Sequence, residues 1–259
     1  MRITLLRNAT LVVEAADQRL VVDPALGPAR GQPPLSLFRS RPARNPTAPL
    51  PATADAALEG ITGGLITHFR RGHTDHLDAA GKRLLAASGV PIACQPGDSA
   101  ALRRAGIDAR PIAPGEPSKL FGGEVRTVPA AHGRGLVGRL MGPGVGFLVR
   151  LAGEPSLYLS GDTMLTDDVR TVLAEERPDV AVMHAGGAQL DVGAPILMSL
   201  EEQIEFVRLA PGRVIAVHLE ALDHCAITRT ALEDALRSAG ATDRVDVPAD
   251  GQPIEIAPA

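Results

Sequence analysis

The chain has 259 residues, a net charge of −4, 2% aromatic residues and no Trp, a balance that argues against a nucleic-acid surface, which needs basic stripes and stacking rings. Its 27 glycines and 22 prolines, about a fifth of the chain, stay below the roughly 25–30% that marks disorder, and no apolar run approaches the roughly 20 residues that span a bilayer. Cys94 and Cys225 give no disulfide framework, and the opening residues lack the charged-then-apolar pattern of a signal peptide, so a cytoplasmic protein is expected.

In chain order, Ile3 to Leu6, Thr10 to Glu14 and Leu20 to Val22 read as short antiparallel strands. Residues 24–55 carry Pro24, Pro28, Pro33, Pro34, Pro42, Pro46, Pro49 and Pro51 with little hydrophobic periodicity, which predicts a long loop, either a lid or a surface excursion. Beyond the strand that ends near Ile66, Leu77 to Ala87 has helical spacing, Pro91 to Cys94 reads as a strand, Asp98 or Ser99 caps a helix through Ala105, and Ala109 to Ala113 returns as a strand. The second half repeats the alternation: strands at Glu124 to Pro129, Val145 to Leu151, Leu157 to Leu159, Val180 to Met183 and Val214 to Val217, with helices at Asp167 to Glu176, Leu200 to Leu209 and Thr230 to Ser238. Two strand-rich halves with helices outside predict one α/β domain over residues 1–259, a four-layer αβ/βα sandwich.

The histidines carry the chemistry. His68, His73, Asp75, His76 and Asp78 crowd into one stretch behind Gly64-Leu65-Ile66, while His132, His184 and His218 each end a β-rich run, where a sheet delivers side chains to a shared rim. Neutral imidazole with carboxylate suits zinc, manganese or iron, because carboxylate neutralises charge and can bridge two ions.

These residues resemble the metallo-β-lactamase superfamily of metal-dependent hydrolases: His73-x-Asp75-His76 after a strand, then Pro129-Ala-Ala-His132, Leu159-Ser-Gly-Asp162-Thr163, and a strand-terminal His218. The opening Arg7-Asn8-Ala9-Thr10-Leu11-Val12-Val13-Glu14, followed by Leu20-Val21-Val22-Asp23-Pro24, is similar to the branch that contains L-ascorbate-6-phosphate lactonase. The resemblance implies two divalent ions, zinc or manganese with iron as a further option. One would be held by His68, His73 and His132, the other by Asp75, His76 and His218, with Asp162 shared and Asp75 also orienting or deprotonating the attacking water. Metal-bound hydroxide would then attack an ester, lactone or phosphoester of a small, anionic metabolite. Phosphodiester or nucleic-acid hydrolysis is the rival enzyme reading, and a non-catalytic metal-binding module with a degenerate site is the rival outside catalysis.

The departure lies at the front of the motif. The family spaces its first two histidines by one residue, whereas Phe69-Arg70-Arg71-Gly72 separates His68 from His73. Either three residues loop out, helped by Gly72, or Arg71 occupies the first-ligand register. Arg70 and Arg71 would grip a substrate carboxylate or phosphate at the metal rim, or lie solvated. His184, in a Gly-rich turn, is open between a substrate contact and a structural residue, and His224 is a substrate-side residue or a substitute for His218. Cys225 as a thiolate ligand is the weaker alternative to a packed thiol, and Cys94 reads as packing. Gly133-Arg-Gly-Leu-Val-Gly138 matches a dinucleotide fingerprint by letter, but the strand expected after Pro143-Gly144 leaves no room for the helix such a site needs.

Overall fold

Aliphatic and β-branched runs open the chain as β1 (Arg2–Arg7), β2 (Thr10–Ala15) and β3 (Gln18–Val22) in a computed structural model that describes residues 1–70 and 72–257. Asn8 turns β1 into β2 at φ +56°, a left-handed value that asparagine tolerates better than most side chains. After α1 (Ala54–Leu58), the sheet grows in parallel through β4 (Gly63–Ile66), β5 (Ile92–Cys94) and β6 (Ala109–Pro111). The connecting helices are α2 (Ala79–Ser88), capped by the Asp78 carboxylate on Gly81 N–H, and α3 (Pro96–Arg104), which starts on a proline.

A second sheet begins antiparallel with β7 (Pro117–Leu120), β8 (Gly123–Ala131), β9 (Pro143–Leu151) and β10 (Leu157–Leu159). It continues in parallel through β11 (Val180–His184), β12 (Arg213–Val217) and β13 (Val245–Asp246). The helices of this half are α4 (Gly135–Met141), α5 (Asp167–Thr171), which runs on as a π-helical turn to Glu176, α6 (Leu200–Leu209) and α7 (Arg229–Ser238). β14 (Pro253–Glu255) returns to pair with β1, giving sheet orders β14-β1-β2-β3-β4-β5-β6 and β13-β12-β11-β10-β9-β8-β7.

Alternation along the strands divides the apolar residues among three layers of packing. Leu20, Val22 and Leu65 from the first sheet meet Val125, Phe147 and Val182 from the second in the core between them. Val21 and Ile66 face outward onto Leu85 of α2 and Leu102 of α3, while Tyr158 and Ala181 face Phe206 of α6 and Leu232 of α7. Burying a Phe or Leu side chain contributes roughly 1.5–3 kcal/mol, so all three layers of this sandwich of helix, sheet, sheet and helix help to hold it. It is the expected four-layer αβ/βα architecture. No helix among the described residues is long and apolar enough to cross a membrane.

Some elements differ from expectation. The sequence reading contains no β7, α4 or β14, and α3 begins at Pro96 with Gln95 as its cap, so Asp98 lies in the first turn. Contrary to expectation, a helix does start at Gly135, but it leads to β9 antiparallel to β8, so the parallel crossover of a dinucleotide fold is absent there.

Apart from an isolated bridge between Gln32 and Asn45, the Pro-rich stretch stays irregular up to α1 and is tied down at several places, those at Arg7, Asp223 and Asp191 among them. Arg7 is 1% exposed and donates to the carbonyls of Ala25 (2.7 Å), Gly27 (3.0 Å) and Ala48 (3.1 Å). Asp223 accepts from Leu35 and Ser36 N–H, Ala43 N–H and the Asn45 amide. Asp191 accepts from the N–H groups of Leu37, Phe38 and Arg39 and from the Ser36 hydroxyl. The N–H donors, Arg39 and Phe38 foremost, hold the Asp191 carboxyl below the usual carboxylate range.

Candidate metal centre

β4 hands the chain to Thr67 and His68 at the rim between the two sheets, where Val145 N–H bonds the Thr67 carbonyl at 3.1 Å. The chain then loops, with Gly72 at φ +93° in open space, and tightens into turns in which Thr74 N–H reaches Gly72 O at 2.7 Å and Leu77 N–H reaches His73 O at 3.4 Å. This bulge keeps His68 beside His73: their rings lie 4.4 Å apart, and together with His132 they place ligand atoms within 4.8 Å of one another. Asp75, His76, Asp162 and His218 form a second such group. Arg71 lies outside the described residues, so of the two registers left open by the sequence, the geometry supports the one that retains His68.

Asp162 stands at the centre. Its Oδ2 lies 3.3 Å from His76 Nε2, 3.4 Å from His132 Nε2 and 4.0 Å from His68 Nε2, and its Oδ1 lies 3.6 Å from His218 Nε2. Gly161 makes this approach possible: at φ +62°, a Cβ there would come within 2.7 Å of the Val145 carbonyl. Asp75 Oδ2 closes the other side at 3.5 Å from His76 Nε2 and 3.7 Å from His218 Nε2.

For His132, His73 and His76, a backbone carbonyl or a carboxylate holds Nδ1 and leaves Nε2 turned inward. His132 Nδ1 bonds Ile196 O at 2.9 Å, and His73 Nδ1 bonds Arg70 O at 2.5 Å. His76 Nδ1 bonds Asp23 Oδ2 at 2.8 Å, and that carboxylate also accepts from Thr67 N–H (2.8 Å) and the Thr67 hydroxyl (2.5 Å). Left facing the centre, Nε2 of His68, His73 and His218 are buried without a hydrogen-bond partner. Orphaned buried imidazole nitrogens are costly unless something accepts their lone pairs. A set of imidazoles and carboxylates aimed at two points fits divalent ions.

The electrostatics agree with that fit. Burial opposes ionisation of Asp162, but the neighbouring His218, His76 and His132 overcome it and hold the carboxyl well below its usual range. Burial likewise opposes charge on His76 and His218, yet Asp162 raises both well above the ordinary imidazole value. Burial, reinforced by the nearby His76, holds His68 well below that value, and burial lowers His132 to about 4. The carboxylates thus draw positive charge toward the centre, and a bound cation would supply it in place of protons on His76 and His218.

The remaining expected site residues fall outside the two groups. His184 Nδ1 bonds Asp162 Oδ1 at 2.6 Å, so it contacts the central carboxylate. His224 is buried with an unpartnered Nδ1, and it is His218 that lies in the group with Asp75, His76 and Asp162. Cys225 Sγ is 3.6 Å from His218 Nδ1, behind the ring, and Cys94 is packed in the outer core of the first sheet. Arg70 is 60% exposed and donates to Gly97 O at 2.8 Å. Asp23 is the residue that sequence reasoning missed.

Comparison with known proteins agrees with this architecture. The UPF0173 protein YddR of Bacillus subtilis is 28% identical over 97% of this chain and 98% of its own. A UPF0173 metal-dependent hydrolase of Alkaliphilus metalliredigens is 30% identical over 72% of this chain and 74% of its own. Among solved structures, a possible metal-dependent hydrolase from Veillonella parvula matches with TM-score 0.89 and 28% identity, and the isothiocyanate hydrolase from Delia radicum gut bacteria with TM-score 0.86 and 27% identity, each over 99% of both chains. The model of the β-lactamase superfamily domain matches residues 2–218; with its two-sheet sandwich and its histidine-and-aspartate rim, the chain belongs to the metallo-β-lactamase superfamily.

Proposed function

We propose that this metal-dependent hydrolase cleaves an ester, lactone or phosphoester of a small, anionic metabolite, using two divalent ions, zinc or manganese with iron as a further option. The observation that carries the reading is the pair of donor groups sharing Asp162. His68, His73 and His132 would hold one ion, and Asp75, His76 and His218 the other, with Asp162 between them. Such ions supply Lewis acidity, which acidifies water and polarises the substrate oxygen.

The chain's own groups complete the chemistry. Asp75 keeps an 11% exposed side chain at the rim. Although burial opposes its ionisation, His76 and His218 hold its carboxyl far below the usual range, so it is ionised and placed to orient or deprotonate an attacking water. Asp23 fixes the His76 ring and its tautomer, His184 fixes the Asp162 carboxylate, and Arg70 stands at the mouth to attract an anion. Elemental analysis after reconstitution with zinc or manganese should return close to two ions per chain, and Asp162→Ala should lower this sharply. Metal-loaded protein inert towards charged lactones, phosphoesters and esters would sink the reading.

A second reading, attack of water on an isothiocyanate carbon, is favoured by the 27% identity to the Delia radicum gut-bacterial enzyme over 99% of both chains. Turnover of a neutral isothiocyanate in preference to every charged ester would establish it over the first.

A further inference from the structure

Asp98 has no part in the chemistry above, yet it stands at the mouth of the candidate metal centre. A cavity of about 180 Å³ opens beside His68 and His73, walled by Arg70, Gln95, Asp98 and the bend at 141–143. That space holds several waters, enough for the charged end of a small organic acid and the group beside it. Asp98 is 1% exposed, and its Oδ2 accepts the Gln95 amide at 2.9 Å. The same amide donates to Pro143 O at 2.9 Å, which fixes the carboxyl across the cavity. Oδ1 accepts no hydrogen bond from any described residue, and Arg70 Nε stands 4.0 Å from it.

A first-turn carboxylate needs no burial to favour its helix, yet Asp98 is held against the cavity wall with one oxygen committed to Gln95. A ligand in the cavity that brings its own donor can use the other oxygen. Burial pushes the Asp98 carboxyl up, against the Gln95 hydrogen bond and the charge of Arg70, so such a donor would also favour the ionised form. Arg70, anchored by Gly97 O through Nη1, keeps the rest of its exposed guanidinium for an anion.

We propose that Asp98 and Arg70 form a paired polar subsite that selects anions carrying an N–H or O–H beside the charged group, amido acids and hydroxy acids, over plain carboxylates. This rests on the hydrolase reading for the role of the adjoining centre; the subsite itself is tested by binding. N-acetylglycine and 4-oxopentanoate differ by N–H in place of CH2, and calorimetric titration of each into the zinc-loaded protein requires no turnover and no variant. A charge-assisted hydrogen bond to a buried carboxylate should favour N-acetylglycine by about tenfold or more.

Asp98→Asn, an isosteric change, should reduce that preference to about twofold or less, whereas Arg70→Ala should weaken both ligands alike. Equal affinities in the parent protein, or a preference that survives Asp98→Asn, overturn the proposal. If selective, Asp98-dependent binding is found in a protein that hydrolyses nothing, the subsite stands and the hydrolase reading falls.

Discussion

Replacing Asp23 with Asn should weaken metal binding at the group of Asp75, His76, Asp162 and His218 by about 10–100-fold while leaving the chain folded. The Asp23 carboxylate accepts three hydrogen bonds: Thr67 N–H on Oδ1, and the Thr67 hydroxyl and His76 Nδ1–H on Oδ2. Asparagine can keep its oxygen on Thr67 N–H, but its NH2 then faces His76 Nδ1 and forces the proton onto Nε2, the nitrogen aimed at Asp162. A protonated Nε2 cannot ligate, so the ion must push the ring back to the other tautomer against two opposed donors. The expected loss corresponds to about 1.4–2.8 kcal/mol of binding. One mismatched buried pair costs the fold about 1–3 kcal/mol, within the roughly 5–15 kcal/mol that holds a typical domain. Zinc titration against a chromophoric chelator, with thermal melts of metal-free protein, measures both quantities. An Asp23→Asn variant with parental affinity at both groups, or with an equal loss at the group of His68, His73 and His132, would refute the argument that Asp23 acts through the tautomer of His76.

His68→Ala should cut zinc affinity by about tenfold or more; unchanged stoichiometry and affinity would show that His68 is no ligand despite its position. The metal-free protein should lose stability as pH falls from the ordinary imidazole range towards the depressed value of about 4 at His132. In that window the unfolded chain binds the proton and the folded chain does not, so stability falls by up to about 1.4 kcal/mol per pH unit for this group and levels off below it. Urea midpoints of chelator-treated protein that stay flat across that window would show that His132 is already charged when folded. Arg70→Ala should slow turnover of the best anionic substrate by about tenfold or more, with little change in thermal midpoint because the side chain is 60% exposed; parental rates would leave this arginine merely solvated.

Much of the sandwich could be read from the chain because its strands are dense in β-branched residues and its candidate ligands sit where those runs stop. β8 and β12, for example, end at Ala131 and Val217, the residues before His132 and His218. The elements that escaped lack such signals. Helix α4 buries none of its residues and is bounded by glycine, and β7 alternates between exposed and half-buried positions at a sheet edge. Asp23 has no local signature either, since its partners Thr67 and His76 lie 44 and 53 residues away. Arg7 looks like a surface residue in sequence, and only the fold shows a buried guanidinium gathering three loop carbonyls. His68 was ambiguous because spacing alone cannot say whether an insertion bulges outward or shifts the register; only the fold brings His68 beside His73 and His132.

Each donor group draws on both sheets: His68 and His73 follow the first while His132 follows the second, and Asp75 and His76 are matched by Asp162 and His218. Neither half alone can assemble a binding site, so an ion held there works as a clasp between them, and the free energy of its capture adds to that of their docking. Free metal at a thousand times its dissociation constant would add about 4 kcal/mol against unfolding. Metal supply in the host would then govern how long the folded molecule persists as well as how fast it turns over.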